Sequence, residues 1–435
     1  MRRNPVRALA TAVVAGSLVL LSACSGGSST TGSSASALPS LDPNQQTTIS
    51  FMEAMSSGAQ QAALKKMTSD FEAQHPNVKV DLQEQPNYGA LQTKITAQVA
   101  AQSAPTIAQV YPNWADELST SGVLVPLDSY VASSDQYKSF YTGIQNDMKL
   151  RDGKNWMWPF NKSVVVQYYN ESKVPNAPTT WDQFSQDAKS VSNNGVVALS
   201  IDPGSETSPA GGTALFEILA EANGTPVFAE DGTPQFDSDA AKKAMNYLVD
   251  LKKSNALALG SNYPGQTALG NQTGAFDVSS VASYPFNQNA VGGKFTMGVA
   301  PLPAGPSKTA NQLAGTNIAM FASASDQQRA AAWAYMQFLT SPAEMAYWAT
   351  QTGYLPVTKD AMNEQVMKDY VAKEQWLTSV VEQLDTATPL PAVSYVNKAS
   401  GALSTAITSA VNGTASVDDA LATAQAAAKK AASEQ

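Results

Sequence analysis

Between Thr47 and Val110 the chain alternates between strand-like and helix-like stretches. Thr47-Thr48-Ile49-Ser50-Phe51 reads as a strand, and Leu64, Met67 and Phe71 then recur at helical spacing until His75-Pro76-Asn77 stops them. Val78-Lys79-Val80-Asp81-Leu82 alternates as a half-buried strand, Leu91, Ile95 and Val99 mark a second helix ended before Pro105, and residues 106–110 form a third strand. Strand, helix, strand, helix, strand at this spacing predicts an α/β fold, with a parallel or mixed sheet covered by helices. In such sheets ligands bind beyond the carboxyl ends of the strands, here residues 52–55, 85–88 and 111–114.

The aromatic and β-branched stretch 155–170, which follows the turn Asp152-Gly153-Lys154, predicts a long strand interrupted at Pro159. A second αβ unit follows. Thr180-Trp181-Asp182-Gln183 has the form of a capping box, residues 196–201 of a strand, 213–222 and 240–253 of helices, and 228–236 of a hairpin around Asp231-Gly232. Residues 274–278 and 295–299 read as strands, the latter a candidate second crossing between units, and 328–339 and 342–350 read as helices. The Ala-rich end from Ser416, with Asp418-Asp419 in its first turn, predicts a surface helix. Stretch 155–170 is then a crossing between two lobes, and the cleft between lobes is the default place for a small ligand.

The start of the chain bears on compartment. Arg2, Arg3 and Arg7 precede the apolar run 8–21, which is shorter than the roughly 20 apolar residues of a spanning helix. Residues 1–23 therefore read as a secretory signal, and Leu21-Ser22-Ala23-Cys24 resembles the lipobox of bacterial lipoproteins, in which the thiol carries diacylglycerol. Cys24 is the only cysteine, so no disulfide framework is expected. Residues 24–44, rich in Ser, Gly, Thr and Ala as far as Pro39, predict a flexible tether. Removing three arginines and no acid takes the net charge from −9 to −12, which speaks against nucleic acid and against a basic patch for anionic lipid.

Signs of catalysis are missing from the sequence. The single histidine, His75, sits at a helix stop beside Pro76, and neither a Gly-x-Ser-x-Gly elbow, a P-loop nor a Gly-x-Gly-x-x-Gly stretch occurs. No cofactor and no metal site is expected.

Several pieces, in order, carry a resemblance. They are Ile49-Ser50-Phe51 with Ala54-Met55; Tyr88-Gly89-Ala90-Leu91; Ala104-Pro105-Thr106-Ile107-Ala108-Gln109-Val110-Tyr111; Pro159-Phe160-Asn161 through Tyr168-Tyr169-Asn170; Thr180-Trp181; and Thr352-Gly353-Tyr354-Leu355-Pro356-Val357-Thr358-Lys359. From about Thr47 to Ala428 the chain resembles the solute-binding proteins of ABC sugar importers, and most of all their glycerol-3-phosphate-binding branch. The resemblance implies a two-lobed periplasmic-binding-protein type II fold with a hinge, and delivery of a ligand to a membrane permease. It places residues 45–161 and 299–351 in one lobe and 162–298 and 352–435 in the other.

The family's ligand contacts match Tyr88, Ser163, Gly315 and Tyr354, with a serine among residues 279–283, taken as Ser283. Its acidic residue after the third strand is replaced by Pro112 or Asn113, its phosphate-binding arginine falls near Asn397, and residues 200–212 hold no tryptophan. A phosphate ester wants Arg forks or helix N-termini, and after the leader only Arg151 and Arg329 remain. A neutral sugar wants aromatic faces and hydrogen-bonding groups, which Trp114, Trp158, Asn113, Asn161, Asn317, Glu53 and Asn397 supply, although for each Trp core packing is the favoured reading. The expectation is a monomeric, lipid-anchored binder of a carbohydrate on the outer face of the cell membrane. The alternatives are a binder of glycerol-3-phosphate or a glycerophosphodiester, with Lys162, Lys398 or a helix N-terminus in the arginine's role, and more remotely a surface carbohydrate-active enzyme.

Overall fold

The computed structural model describes residues 38–56, 58–204, 211–389 and 391–434. The leader, Cys24 and most of the tether lie outside the described residues. Among the described residues ten strands carry the architecture: β1 Thr47–Glu53, β2 Val78–Glu84, β3 Ile107–Val110, β4 Trp158–Asn170, β5 Leu199–Ile201, β6 Leu257–Leu259, β7 Phe276–Ser280, β8 Met297–Pro301, β9 Gln312–Met320 and β10 Thr388–Pro389. Their order is β2-β1-β3-β9-β4-β7-β5-β6, with β10 beside β9 and β8 beside β4.

The pairings divide this order into two sheets joined by β4. β1, β2 and β3 run parallel, as their βαβ spacing requires, and β9 joins β3 antiparallel. The first half of β4 pairs β9, from Trp158↔Ile318 to Val164↔Leu313. Its second half lies between β7, from Val165↔Ser280, and β8, as far as Asn170↔Met297. β5 and β6 complete the second sheet in parallel. All thirteen residues of β4 are buried, as a strand covered on both faces must be. The interruption expected at Pro159 is a bulge: Pro159 faces Asn317 and Lys162 faces Gly315, so two residues of β4 oppose one of β9.

The expected second crossing at residues 295–299 is corrected. That stretch enters β8, which pairs only with the second-sheet half of β4. The return to the first sheet runs through residues 302–311 into β9, where the Asn311 side chain bonds both Val165 N and Val165 O. The expected hairpin at 228–236 is a tight turn with a single bridge, Phe228↔Pro234.

Helix Gly58–Gln74 buries Leu64, Met67 and Phe71 on one face, and the Phe71 ring meets Tyr335 at 5.0 Å. Trp158, with Trp348 the largest fully buried side chain among the described residues, donates Nε1–H to Thr340 Oγ1 at 2.9 Å and belongs to the core of the first sheet. The second sheet has its own core around Phe184, Phe216 and Phe276, against which helices Val396–Val411 and Val417–Ser433 pack. Thr180 caps helix Trp181–Val191 by accepting from Gln183 N, but Gln183 Oε1 reaches back to Thr179 N, so the box closes one residue early. Among the described residues no helix is long and apolar enough to cross a membrane.

Candidate functional site

The parallel strands of the first sheet end at Glu53, Glu84 and Val110, and the turns beyond them present side chains toward the junction with the second sheet. Asn87 caps helix Tyr88–Ala100 by accepting from Ala90 N at 2.9 Å, which fixes Tyr88 at the first helical position. Tyr111 is the cap residue of helix Pro112–Thr120 and meets Tyr88 edge-on at 5.3 Å. Tyr354 follows the helix Pro342–Thr352, which Gly353 ends with φ +78°, and its ring stacks on Trp348 at 5.7 Å.

A chain of buried amides holds this cluster. Ala54 N donates to Gln109 Oε1 at 2.7 Å, and Gln109 Nε2 donates to Asn161 Oδ1 at 3.0 Å. Asn161, at the β4 bulge, donates Nδ2–H to Tyr88 Oη at 2.8 Å, and Tyr88 Oη lies 3.5 Å from Tyr354 Oη. Thr316 Oγ1 donates to Asn161 Oδ1 at 2.5 Å. Burial pushes the ionisation of Tyr88, Tyr111 and Tyr354 above the ordinary tyrosine value, so all three remain neutral phenols at physiological pH. Neutral hydroxyls both donate and accept, which suits a ligand that is itself covered in hydroxyls.

The other expected residues fall in distinct places. Asn113 Nδ2 donates to Asn397 Oδ1 at 3.2 Å, joining the first turn of helix Pro112–Thr120 to the first turn of helix Val396–Val411. Trp114 is buried under Tyr111, ring to ring at 5.0 Å. Ser163 accepts from Ser280 Oγ at 2.9 Å, and Ser283 closes the 3₁₀ turn Val281–Ser283 that follows. Gly315 stands opposite the bulge at φ +90°. Asn317 is fully buried and bonds Asp147 Oδ2 at 2.6 Å, behind the bulge rather than among the tyrosines. Glu53 Oε2 accepts from Met55 N, and burial raises the pKa of this carboxyl to about 7. Gln109, Tyr111, Ser280 and Thr316 complete the arrangement without having been singled out as site residues; Tyr111 had a signal in its place after a parallel strand, and Ser280 in lying among the serines of 279–283.

Each cation singled out from the sequence has an acceptor nearby. Lys162 Nζ lies 2.5 Å from Asp147 Oδ2, with both side chains buried. Arg151 pairs with Asp116 at 3.1 Å, Lys398 faces Glu434 at 3.8 Å, and Arg329 Nη2 donates to Ala322 O at 2.6 Å. Among the described residues no group of His, Cys, Asp and Glu could hold a metal ion. A groove of about 410 Å³ between the last two helices is lined by Ala402, Ala406, Ala424 and similar small residues and lies apart from the tyrosine cluster.

Residues 66–375 match the family described as bacterial extracellular solute-binding protein. The sn-glycerol-3-phosphate-binding periplasmic protein of Escherichia coli K12 is 24% identical over 374 residues, covering 79% of this chain and 82% of that one. The cyclic alpha-maltosyl-1,6-maltose binding protein of Arthrobacter globiformis superposes with a TM-score of 0.78 at 22% identity, over 89% of this chain and 100% of that chain. A glycerophosphocholine-binding protein of Mycobacterium tuberculosis, solved with that ligand, gives 0.78 at 21% identity, over 89% and 99%. At these identities the structural likeness establishes the two-lobed α/β fold.

Proposed function

The chain belongs to the bacterial extracellular solute-binding protein family, and on that premise we propose that it captures a carbohydrate in the cleft between its lobes and delivers it to the permease of an ABC importer. The observation that carries the reading is the cluster of neutral phenols Tyr88, Tyr111 and Tyr354, held by Asn161 and Gln109, in a neighbourhood whose cations are already paired. A phosphate dianion would need an Arg fork or its equivalent. Lys162 and Lys398, the two lysines able to replace one, face Asp147 and Glu434. Proteins of similar fold include binders of maltosyl sugars and of glycerophosphocholine. β4, shared by both sheets, and the return 302–311 are the connections about which the lobes would close. Members of the family bind ligands rather than transform them, which agrees with the lack of catalytic motifs.

Isothermal titration with maltose, glycerol-3-phosphate and glycerophosphocholine tests this. Heat with the saccharide is expected, and Tyr88→Ala or Tyr354→Ala is expected to weaken binding by roughly 1–3 kcal/mol while the fold persists. Tight binding of glycerol-3-phosphate with no heat from any sugar would overturn the reading.

The protein works outside the cytoplasm, and we infer that it is held there as a monomer by lipid on Cys24. Cys24→Ser is expected to shift the protein from the membrane fraction to the medium or to leave it unprocessed. Normal processing with undiminished membrane retention would sink the anchor, and a dimer mass by light scattering would sink the monomer.

A further inference from the structure

Lys162 is the only charged residue of β4, a strand whose thirteen residues are all buried. Its Nζ lies 2.5 Å from Asp147 Oδ2, at the end of helix Thr142–Asp147, and 3.4 Å from Gly315 O on β9. The same carboxylate oxygen accepts from Asn317 Nδ2 at 2.6 Å. Side chains from β4, β9 and that helix therefore converge on one buried point behind the bulge, where Pro159 faces Asn317 and Lys162 faces Gly315. The main chain of Lys162 ties in a fourth piece, since Leu355 N, next to Tyr354, donates to Lys162 O at 2.8 Å.

Stability alone does not call for this arrangement. Two charges taken out of water lose about as much hydration as their attraction returns, and apolar side chains of similar volume often serve as well. What apolar packing lacks is direction. A bulge sets two residues opposite one, so its place along the strand depends on what bonds there, and a slip of one residue sends every side chain to the other face. At this bulge the faces differ in kind. Asn161 donates to Tyr88 Oη at 2.8 Å and Ser163 accepts from Ser280 Oγ at 2.9 Å, whereas Lys162 between them reaches Asp147. A slip of β4 by one residue would withdraw the Asn161 amide from the tyrosines and turn an ammonium toward them.

We propose that Lys162 and Asp147 are positioning residues for ligand binding: their bond fixes the bulge in its register, which holds Asn161 on Tyr88 and keeps the lysine's charge out of the tyrosine cluster. The pair acts through Asn161 and touches no ligand itself. The proposal rests on the reading above, in which that cluster binds the ligand.

Two double variants of the full chain test it: Lys162→Met/Asp147→Leu, and Lys162→Met/Asp147→Asn, in which the new amide can pair with Asn317, whose Oδ1 has no partner among the described residues. Each is read by urea unfolding, by hydrogen exchange with mass spectrometry, and by titration with maltose, glycerol-3-phosphate and glycerophosphocholine. At least one is expected to regain most of the stability that Lys162→Met loses. That variant should still exchange amides 158–164 and 312–317 about 10-fold faster than the parent and bind the parent's ligand at least about 10-fold more weakly. Stability regained with both segments as slow as in the parent, or with affinity within about twofold, overturns the positioning role and leaves the carbohydrate reading standing. If both variants stay as unstable as Lys162→Met, the pair serves the fold itself and the proposal also falls. Exchange needs no ligand, so a parent that takes a phosphoryl compound and not maltose overturns the carbohydrate reading alone, while exchange still decides the role of the pair.

Discussion

Lys162→Met is expected to lower the unfolding free energy by about 3–5 kcal/mol, the cost of leaving one buried charge without its partner. Lys162 is 1% exposed and Asp147 3%, and the same carboxylate oxygen also accepts from Asn317 Nδ2. Desolvation pulls the lysine pKa down, and only Asp147 opposes it. With Met at 162, Asp147 keeps Asn317 as donor but has no cation, while Asn317 Oδ1 has no partner among the described residues in any case. Urea unfolding followed by tryptophan fluorescence measures the loss. The double variant Lys162→Met/Asp147→Leu should recover most of it, since paired buried charges often exchange for apolar groups at little cost. A single variant within 1 kcal/mol of the parent would mean that water or another group solvates Asp147.

The second large effect is expected at Gly315→Ala. An added Cβ would lie 1.8 Å from Asn161 O, 2.9 Å from Asn161 C and 3.2 Å from Lys162 Cα, all backbone atoms that cannot swing aside. The left-handed φ of +90° adds its own strain. Together these should cost roughly 2–6 kcal/mol. Because β4 and β9 must part at the bulge that positions Asn161, ligand affinity should fall as well. Gly413→Ala is the control, with φ +72° and nothing within 4 Å, so it carries the backbone strain alone. Equal losses at the two positions would show that the close approach at Gly315 relaxes freely.

The αβ repeat of the first sheet was legible because Leu64, Met67 and Phe71 obey helical spacing and residues 78–82 alternate, so local pattern and tertiary burial agree. β9 was not, although it is the central antiparallel strand of the first sheet. Its middle, Ala314-Gly315-Thr316-Asn317, has neither alternation nor β-branched density, and it is a strand because β3 and β4 flank it. Tyr88 and Tyr354 could be singled out by resemblance, but spacing could not show that Ser280 bonds Ser163. Trp158 illustrates the opposite limit: an aromatic residue near a crossing reads as core or as ligand surface, with core favoured, and its burial and its bonds to Thr340 and Met336 place it in the core. Gln109 reads as an ordinary polar residue in a strand, and its role appears only once Ala54 and Asn161 are seen at its two ends.

The order of the strands also bears on how the chain is made. β3, at residues 107–110, needs β9, at 312–320, as its sheet neighbour, and β9 in turn pairs with β10 at 388–389. The second core is closed by helices that begin at Val396 and Val417. Neither half can therefore finish until most of the chain has been synthesised. At about 5–20 residues per second, some 10–40 seconds separate β3 from β9 at the ribosome. A chain that still lacks β9 and the last two helices can complete neither core, and β4 joins two finished halves only once these are in place.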